Sequence, residues 1–119
     1  MTVREALQFI YQFDPIRPEL VPDPDAWTEE DLRVGAAHFA YLKAATEDGI
    51  VLLAGRSLDG VGPAIVILEA ETEEAAQKFM ENDPFIADGL MRASLHPFRA
   101  AVMRTGSRCL SVRIYLFGK

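Results

Sequence analysis

The order of apolar patterns along the chain constrains its fold more than any other feature. An alternating run comes first, followed by a proline-rich segment and a pattern with helical spacing. Two apolar runs, a second helical pattern and a last extended run follow. Alternation is typical of strands, and apolar residues three or four positions apart are typical of amphipathic helices. The order β-α-β-β-α-β therefore predicts a ferredoxin-like α+β fold, in which two helices cover one face of a four-stranded sheet.

The first half of the chain is predicted to hold a strand, a loop and a long helix. Leu7 to Phe13 alternates, which predicts the first strand. Four prolines within residues 14–27 disfavour helix and central strand, so we expect an extended loop that serves as a lid or pocket wall. Thr28 and Asp31 have capping-box spacing, and Gly49 is a typical helix end. The apolar stripe of this helix, with small residues close to the sheet, is expected to be Leu32, Gly35, Ala36, Phe39, Leu42 and Thr46.

The second half is predicted to hold three strands, a helix and one further helical turn. Thr72 is expected to cap the helix, and Pro84 is expected to follow its end. Pro97 has no N–H for a strand ladder, so the last strand is expected at a sheet edge or with a bulge. The predicted ranges are 50–56, 64–70 and 91–102 for the strands, 73–81 for the helix and 85–90 for the turn.

The end of the chain extends beyond this pattern. One domain is expected over residues 1–103, and residues 104–119 are expected to form a C-terminal extension. Within it, Leu110 to Phe117 alternates like an extra strand, which needs a partner edge in its own sheet or across a dimer. The apolar character of the middle strands indicates that the second face of the sheet is buried too. Face-to-face homodimerisation would bury it.

Composition argues against several classes of function. The chain has 119 residues, half of them hydrophobic, which suits one domain with a sizeable core. Its formal net charge of −6 argues against binding to duplex nucleic acid and against docking on anionic lipid. No run approaches the roughly 20 apolar residues that span a bilayer, and the N-terminus lacks a signal-peptide pattern. Cys109 is the only cysteine, so an internal disulfide is impossible and a reducing cytoplasm is the expected compartment.

Metal and cofactor motifs are not apparent. Candidate ligands such as His38, His96, Asp83 and Cys109 are scattered, without the close spacing of a zinc or iron site. The glycines at 60 and 62 suit a turn, because no phosphate-loop motif or helix follows them. Neither a metal nor a cofactor is therefore expected.

Two residues on separate elements point most directly to chemistry. His38 lies in the first helix, and Asp83 follows the second. An imidazole titrates near neutral pH, and a carboxylate can fix its tautomer and raise its basicity. Each residue also has a purely structural interpretation. His38 can be a half-buried helix histidine satisfied by backbone or water, and Asp83 can hydrogen-bond its own turn.

Four further residues are candidates for substrate binding. Arg56, at a strand end, can bind a carboxylate or phenolate, or form a surface ion pair. Arg17 in the loop can reach the same anion, although a solvated arginine is the simpler interpretation. Tyr41 follows His38 by one helical turn on the same side, so it can line a pocket or pack in the core. His96 is interpreted as structural, with a substrate contact as the alternative.

Five short motifs resemble the YCII-related (YciI-like) family in their order and spacing. They are His38-Phe-Ala-Tyr-Leu42, Leu53-Ala-Gly-Arg56, Glu74-Ala-Ala76, Asp83-Pro-Phe85 with Gly89, and His96-Pro-Phe98. The resemblance covers roughly residues 7–102. It implies a ferredoxin-like fold that pairs into a dimeric α+β barrel, with a His–Asp active site on His38 and Asp83. One activity in the family is the dehydrochlorination of a chlorinated hydroxyquinol. The loop at 14–27 is longer than in the shortest family members, and the extension at 104–119 runs past the usual end of the family pattern.

The leading hypothesis is a small cofactor-free enzyme of the lyase or isomerase type. It would act on a cyclic or aromatic acid-like metabolite, with His38 as general base or acid and Asp83 orienting it. Arg56 would stabilise negative charge on a substrate oxygen. The alternative is a non-catalytic dimeric sensor or accessory protein that holds a small anionic ligand. A third possibility is an interaction domain whose apolar strands serve assembly only.

Overall fold

A four-stranded antiparallel sheet forms the centre of the computed structural model, which describes residues 7–104 and 112–114. Its strands are β1 (Leu7–Pro15), β2 (Val51–Arg56), β3 (Ala64–Ala70) and β4 (Met91–Phe98). The helices are α1 (Glu29–Glu47), α2 (Glu73–Glu81) and the short α3 (Pro84–Ala87). The strand order β2-β3-β1-β4 confirms the predicted α+β class and is consistent with a ferredoxin-like fold. As expected from Pro97, β4 is an edge strand.

A second, two-stranded sheet follows the main one. It pairs β5 (Val102–Arg104) antiparallel with β6 (Val112–Ile114). The extra strand predicted at 110–117 therefore has a partner edge within its own chain over the part that the structure describes. The remainder of that predicted strand, and Cys109, lie outside the described residues.

Local sequence signals set the ends of both long helices. The Thr28 hydroxyl accepts a hydrogen bond from the Asp31 N–H at 3.1 Å, and the Asp31 carboxylate accepts one from the Thr28 N–H at 2.9 Å. This reciprocal pair confirms the predicted capping box. At α2, the Thr72 hydroxyl accepts from the Ala75 N–H at 3.0 Å, as predicted.

The apolar stripe predicted for α1 is wrong in phase, and Leu42 is the one predicted member that is buried. Leu32 and Phe39 are 59% and 67% exposed. The buried positions of the helix are Asp31, Val34, Leu42 and Ala45. The inward face of the helix includes polar side chains that have hydrogen-bond partners. Counting apolar residues alone does not identify such a face.

The segment at 14–27 is more ordered than the predicted extended loop. β1 continues to Pro15, and two 3₁₀ turns follow at Pro18–Leu20 and Pro24–Ala26. Leu20 is buried, and its carbonyl accepts a hydrogen bond from the Trp27 indole N–H at 2.8 Å. Gly35 of α1 faces the Trp27 ring, so its predicted approach to the sheet is wrong. The segment thus packs on α1 as a fixed wall.

The two faces of the sheet have different surroundings. Phe9, Tyr11, Val66 and Leu68 are buried on the covered face, in the core that includes residues of α1 and α2. Strand residues alternate between faces, so their sequence neighbours lie on the opposite, open face. The open face carries a row of aligned residues across the four strands, formed by Leu53, Ile67, Ile10 and His96. Among the described residues, no helix is long and apolar enough to cross a membrane.

Candidate functional site

His38 of α1 contacts Asp83, which lies between α2 and α3. Nδ1 of His38 is 2.7 Å from Oδ1 of Asp83, across 45 positions of sequence. The Asp83 side chain is fully buried, whereas the His38 side chain is 16% exposed. An ionised carboxylate can only accept hydrogen bonds, so Nδ1 of His38 carries the hydrogen. The lone pair of the neutral ring is then on Nε2, which has no hydrogen-bond partner among the described residues.

Asp83 is held in place by the start of α3. It is the N-cap of that helix, and its Oδ1 accepts a hydrogen bond from the Phe85 N–H at 3.0 Å. Pro84 suits the first helical position because it has no N–H to leave unpaired. The structural and functional interpretations of Asp83 are therefore compatible, since one carboxylate serves both the turn and His38.

Tyr11 completes a chain of side-chain hydrogen bonds that sequence reasoning missed. Its hydroxyl donates to Oδ2 of Asp83 at 2.9 Å, across 72 positions of sequence. Burial, reinforced by the negative charge of Asp83, raises the pKa of Tyr11 far above its usual range. The hydroxyl therefore stays protonated and donates throughout the working pH range. The available signal was a tyrosine on the apolar face of β1, because a buried hydroxyl needs a partner.

Aromatic rings fix the orientation of the His38 imidazole. The Phe85 ring stacks on it with centroids 3.7 Å apart and an interplanar angle of 12°. Phe13 of β1 meets it edge-on at 5.4 Å. Trp27 packs against Phe85 at 6.2 Å, so the proline-rich segment supports this arrangement from behind. Packing and the Asp83 contact together leave Nε2 as the ring nitrogen without a hydrogen-bond partner among the described residues.

Tyr41 lies near this chain of hydrogen bonds but is not part of it. Its hydroxyl donates to the Phe79 carbonyl at 2.8 Å, and its ring stacks on Phe79 at 4.8 Å. Burial, with a smaller contribution from the charge of Asp83, raises the pKa of Tyr41 to about 12. Tyr41 thus packs beside the site, and its hydroxyl donates its hydrogen bond to the Phe79 carbonyl rather than to Asp83.

The other predicted binding residues lie at three different places. Arg17 pairs with Asp31 at 2.6 Å, where it reinforces the capping box. Arg56 is exposed at the end of β2 and makes no ion pair with a described residue. His96 is exposed on the open face, where Nε2 contacts the Ser94 hydroxyl at 3.2 Å. His96 and His38 therefore lie on opposite faces of the sheet within one chain.

The described residues contain no group of three or more histidine, cysteine or acidic side chains that could hold a metal ion. The site as described consists of the ionisable pair His38 and Asp83, with the Tyr11 hydroxyl as a neutral hydrogen-bond donor.

A solved structure resembles this chain in fold, and a family model matches its sequence. This structure is the 5-chloro-2-hydroxyhydroquinone dehydrochlorinase TftG from Burkholderia phenoliruptrix AC1100, in complex with 2,5-dihydroxybenzoquinone. The match has a TM-score of 0.57 and 23% identity, and covers 77% of this chain and 93% of that chain, which supports the shared fold. No curated protein matches the sequence. The model of the YCII-related domain matches residues 18–99, the larger part of the chain and the part that contains His38 and Asp83, so this protein belongs to the YCII-related family.

Proposed function

We propose that this protein is a small acid–base enzyme of the lyase or isomerase type that acts on an aromatic or cyclic acid-like metabolite. The observation that carries this proposal is the His38–Asp83 contact of 2.7 Å, with a fully buried carboxylate and an Nε2 that has no described partner. A histidine held in one tautomer by a carboxylate is suited to take a proton from a bound substrate. Proton transfer of this kind needs only groups of the chain itself.

The proposed step is an elimination or a proton shift. Nε2 of His38 takes a proton from the substrate, and the electron pair of the broken bond forms a new double bond. In an elimination, the leaving group departs with its own bonding pair. In an isomerisation, His38 returns the proton at another atom. The negative charge of Asp83 stabilises the imidazolium that forms, as in other histidine–carboxylate pairs.

Arg56 is the best-placed described cation for a developing negative charge. It pairs with Ala64 of β3. Phe13 of β1, which contacts the His38 ring, is one position beyond Gln12, whose partner on β3 is Ile65. Two strand spacings separate Arg56 from Phe13, or roughly 10 Å, a gap that an arginine side chain and a ring-sized substrate can span. Arg17 is less suitable because Asp31 already occupies its guanidinium.

The aromatic surroundings of His38 support a ring-shaped substrate. Phe85 stacks on the imidazole, Phe13 meets it edge-on and Trp27 packs against Phe85, so aromatic rings surround it on more than one side. By its name and bound ligand, the structural relative acts on a chlorinated hydroxyhydroquinone and holds a dihydroxybenzoquinone. Compounds of this class are therefore the first probes to use.

The test compares the two histidines of the chain. Wild type, His38→Gln and His96→Gln are incubated under nitrogen with 5-chloro-2-hydroxyhydroquinone, and chloride release and ring products are followed by ion analysis and proton NMR. We expect turnover by the wild type and by His96→Gln. His38→Gln should lose about 10²–10⁴-fold in rate, which is the usual contribution of a placed general base.

Two results would contradict the catalytic proposal. Equal rates for wild type and His38→Gln would remove His38 from the chemistry. The second result would favour the binding-protein alternative. In it, the wild type forms no product from chlorinated or unchlorinated hydroxyquinols, whereas both the wild type and the Asp83→Asn variant bind 2,5-dihydroxybenzoquinone.

We also infer that two copies of the chain pair through the open face. Leu53 is 53% exposed there and lies in one row with Ile67 and Ile10. An apolar sheet face of this kind is stabilised when a second sheet packs on it. Pairing of two such sheets would give the dimeric α+β barrel that the family resemblance implies.

Two exposed apolar residues provide a matched test of this interface. Leu53→Lys places a charge on the open face, whereas Phe39→Lys places one on the outer side of α1, where Phe39 is 67% exposed. Light scattering should give twice the chain mass for wild type and Phe39→Lys, and the chain mass for Leu53→Lys. A monomeric wild type, or dissociation by Phe39→Lys alone, would overturn this assembly.

A further inference from the structure

Two side chains and one backbone N–H, from three separate elements, meet at one buried carboxylate. Oδ1 of Asp83 accepts hydrogen bonds from Nδ1 of His38, on α1, and from the Phe85 N–H, on α3. Its other oxygen, Oδ2, receives Tyr11 from β1 and no other described hydrogen-bond donor. From these contacts, and resting on the proposed function, we propose that Tyr11 is a positioning residue that sets how tightly the His38–Asp83 pair holds its proton.

The first argument is the balance of donors on Asp83. A fully buried carboxylate depends on hydrogen bonds because no water reaches it. Without Tyr11, Oδ2 would be buried with no donor from the described part of the chain. Asp83 could then rotate or share its charge differently with His38. The Tyr11 hydroxyl therefore fixes which oxygen faces the imidazole.

The second argument is the sign of the electrostatic effect. When His38 is neutral, the carboxylate charge has no compensating cation; when His38 is protonated, the pair is neutral overall. A hydrogen bond from Tyr11 stabilises the uncompensated carboxylate more than the compensated one. Tyr11 should therefore make the pair release its proton more readily.

The third argument is rigidity. Tyr11 is completely buried in β1, a central strand of the main sheet, where it pairs with Val66 on one side and Leu95 on the other. Its ring packs edge-on against Phe13 at 5.3 Å. A hydroxyl on such a support costs little entropy to hold in place, which is what positioning requires.

Other titratable groups of α1 and the proline-rich segment, namely Tyr41, Arg17 and Asp31, have hydrogen-bond partners of their own. Tyr41, from α1, approaches Asp83 closely enough for their charges to interact, but its hydroxyl donates to Phe79. Arg17 and Asp31 form their own pair at the start of α1. Tyr41 is therefore the natural control, because Tyr41→Phe removes a nearby hydroxyl that does not bond to Asp83.

The experiment is an NMR titration of the two histidines in wild type, Tyr11→Phe and Tyr41→Phe. His96, which is exposed on the open face, is an internal reference in every sample. In Tyr11→Phe, the midpoint of the His38 titration should rise, by at most about one pH unit, because only the difference in the strength of the Tyr11–Asp83 bond between the two protonation states moves it. The midpoint should stay within experimental error in Tyr41→Phe, and that of His96 should not move in either variant.

A second variant covers the case in which Tyr11→Phe does not fold. Replacing Tyr11 with 3,5-difluorotyrosine keeps the ring and makes the hydroxyl a stronger donor, so the His38 midpoint should fall. The positioning role is overturned if the difluorotyrosine protein leaves the midpoint unchanged while Asp83→Asn moves it. It is also overturned if Tyr11→Phe and Tyr41→Phe shift the midpoint equally.

Turnover separates this inference from the proposed function. If 5-chloro-2-hydroxyhydroquinone is a substrate, the acidic limb of the pH profile of kcat/KM should move to higher pH in Tyr11→Phe, by the same amount as the His38 midpoint. A midpoint shift with no turnover by any variant would contradict the proposed enzyme while supporting the role of Tyr11. If turnover requires His38 but the His38 midpoint is the same in wild type and Tyr11→Phe, the proposed enzyme is supported and the role of Tyr11 is contradicted.

Discussion

One of the two histidines lies over the covered face of the sheet and the other lies on its open face. The surroundings of the two imidazoles differ in burial, packing and hydrogen bonding. His38, over the covered face, is fixed by the buried Asp83 and stacked on Phe85. His96, on the open face, is exposed, and its ring contacts the Ser94 hydroxyl. The residue type is the same, so the difference in expected chemistry comes from the carboxylate, the packing and the loss of water around them.

The same strands build both faces. β3 places Leu68 in the core and its neighbour Ile67 on the open face, because successive side chains of a strand point in opposite directions. One face is covered by helices of the same chain. The other carries the row of Leu53, Ile67 and Ile10, which we propose that a second copy of the chain covers. Stability and assembly can therefore be separated by substitutions one residue apart.

The largest expected effect is on folding, from the pair Leu68→Ala and Ile67→Ala. Leu68 is fully buried, so its truncation should lower the free energy of unfolding by about 2–5 kcal/mol. Ile67 is only partly buried within one chain, so its truncation should cost less than about 1.5 kcal/mol in the monomer. Urea unfolding followed by circular dichroism measures both values.

Protein concentration sharpens this first comparison. If the open face is a dimer interface, the effect of Ile67→Ala should grow with protein concentration, because a dimer is stabilised by mass action. The effect of Leu68→Ala should not. A concentration-independent cost for Ile67→Ala would mean that this face is not shared between copies.

The next effect concerns the carboxylate at the centre of the site. Asp83→Ala leaves the buried hydroxyl of Tyr11 and Nδ1 of His38 without an acceptor, whereas the amide of Asp83→Asn can still bond to both. Asp83→Ala should therefore be less stable than Asp83→Asn by about 1–3 kcal/mol. Thermal and urea unfolding of the two variants give this difference. Equal stabilities would mean that the Tyr11–Asp83–His38 chain does not support the covered face.

Local signals in the sequence predicted much of the fold. The capping box at Thr28 and Asp31, and the cap at Thr72, were readable because each contact lies within four residues. The strands followed from alternation and apolar runs, and the order of elements gave the α+β class. Such features depend on neighbours in the chain, which is why they can be predicted without tertiary information.

The site itself depended on contacts that no local pattern contains. Tyr11 meets Asp83 across 72 positions, so its hydroxyl appeared only as part of an apolar strand face. The stripe of α1 was misplaced for a related reason. Its inward face carries His38 and Asp31, whose polar groups have partners elsewhere in the fold, and Leu32 and Phe39 were counted as core although they face outward. Polar residues with distant partners are what apolar periodicity cannot find.

The smallest expected effect lies at the edge of the covered face, where Arg17 ties the proline-rich segment to α1 through Asp31. Arg33 pairs with Glu30 on the exposed side of the same helix turn and is the matched control. The Arg17 hydrogen bond, helped by the Thr28 N–H, lowers the pKa of Asp31 below its ordinary value of 3.8. A carboxyl whose pKa is lowered by folding stabilises the fold above its unfolded pKa, and this stabilisation is lost as pH falls through the folded value.

Arg17→Gln should therefore lower Tm near neutral pH. Its difference from wild type should shrink as pH falls from about 3.8 through the lower pKa of folded wild-type Asp31, below which Asp31 is protonated in both proteins. Arg33→Gln should change Tm little at any pH, because an exposed pair between neighbouring turns contributes little. Calorimetric melting of the three proteins across this range measures both effects. If the deficit of Arg17→Gln stayed constant into strong acid, the arginine would be stabilising the segment by packing, and the link between the loop and the helix cap would not be electrostatic.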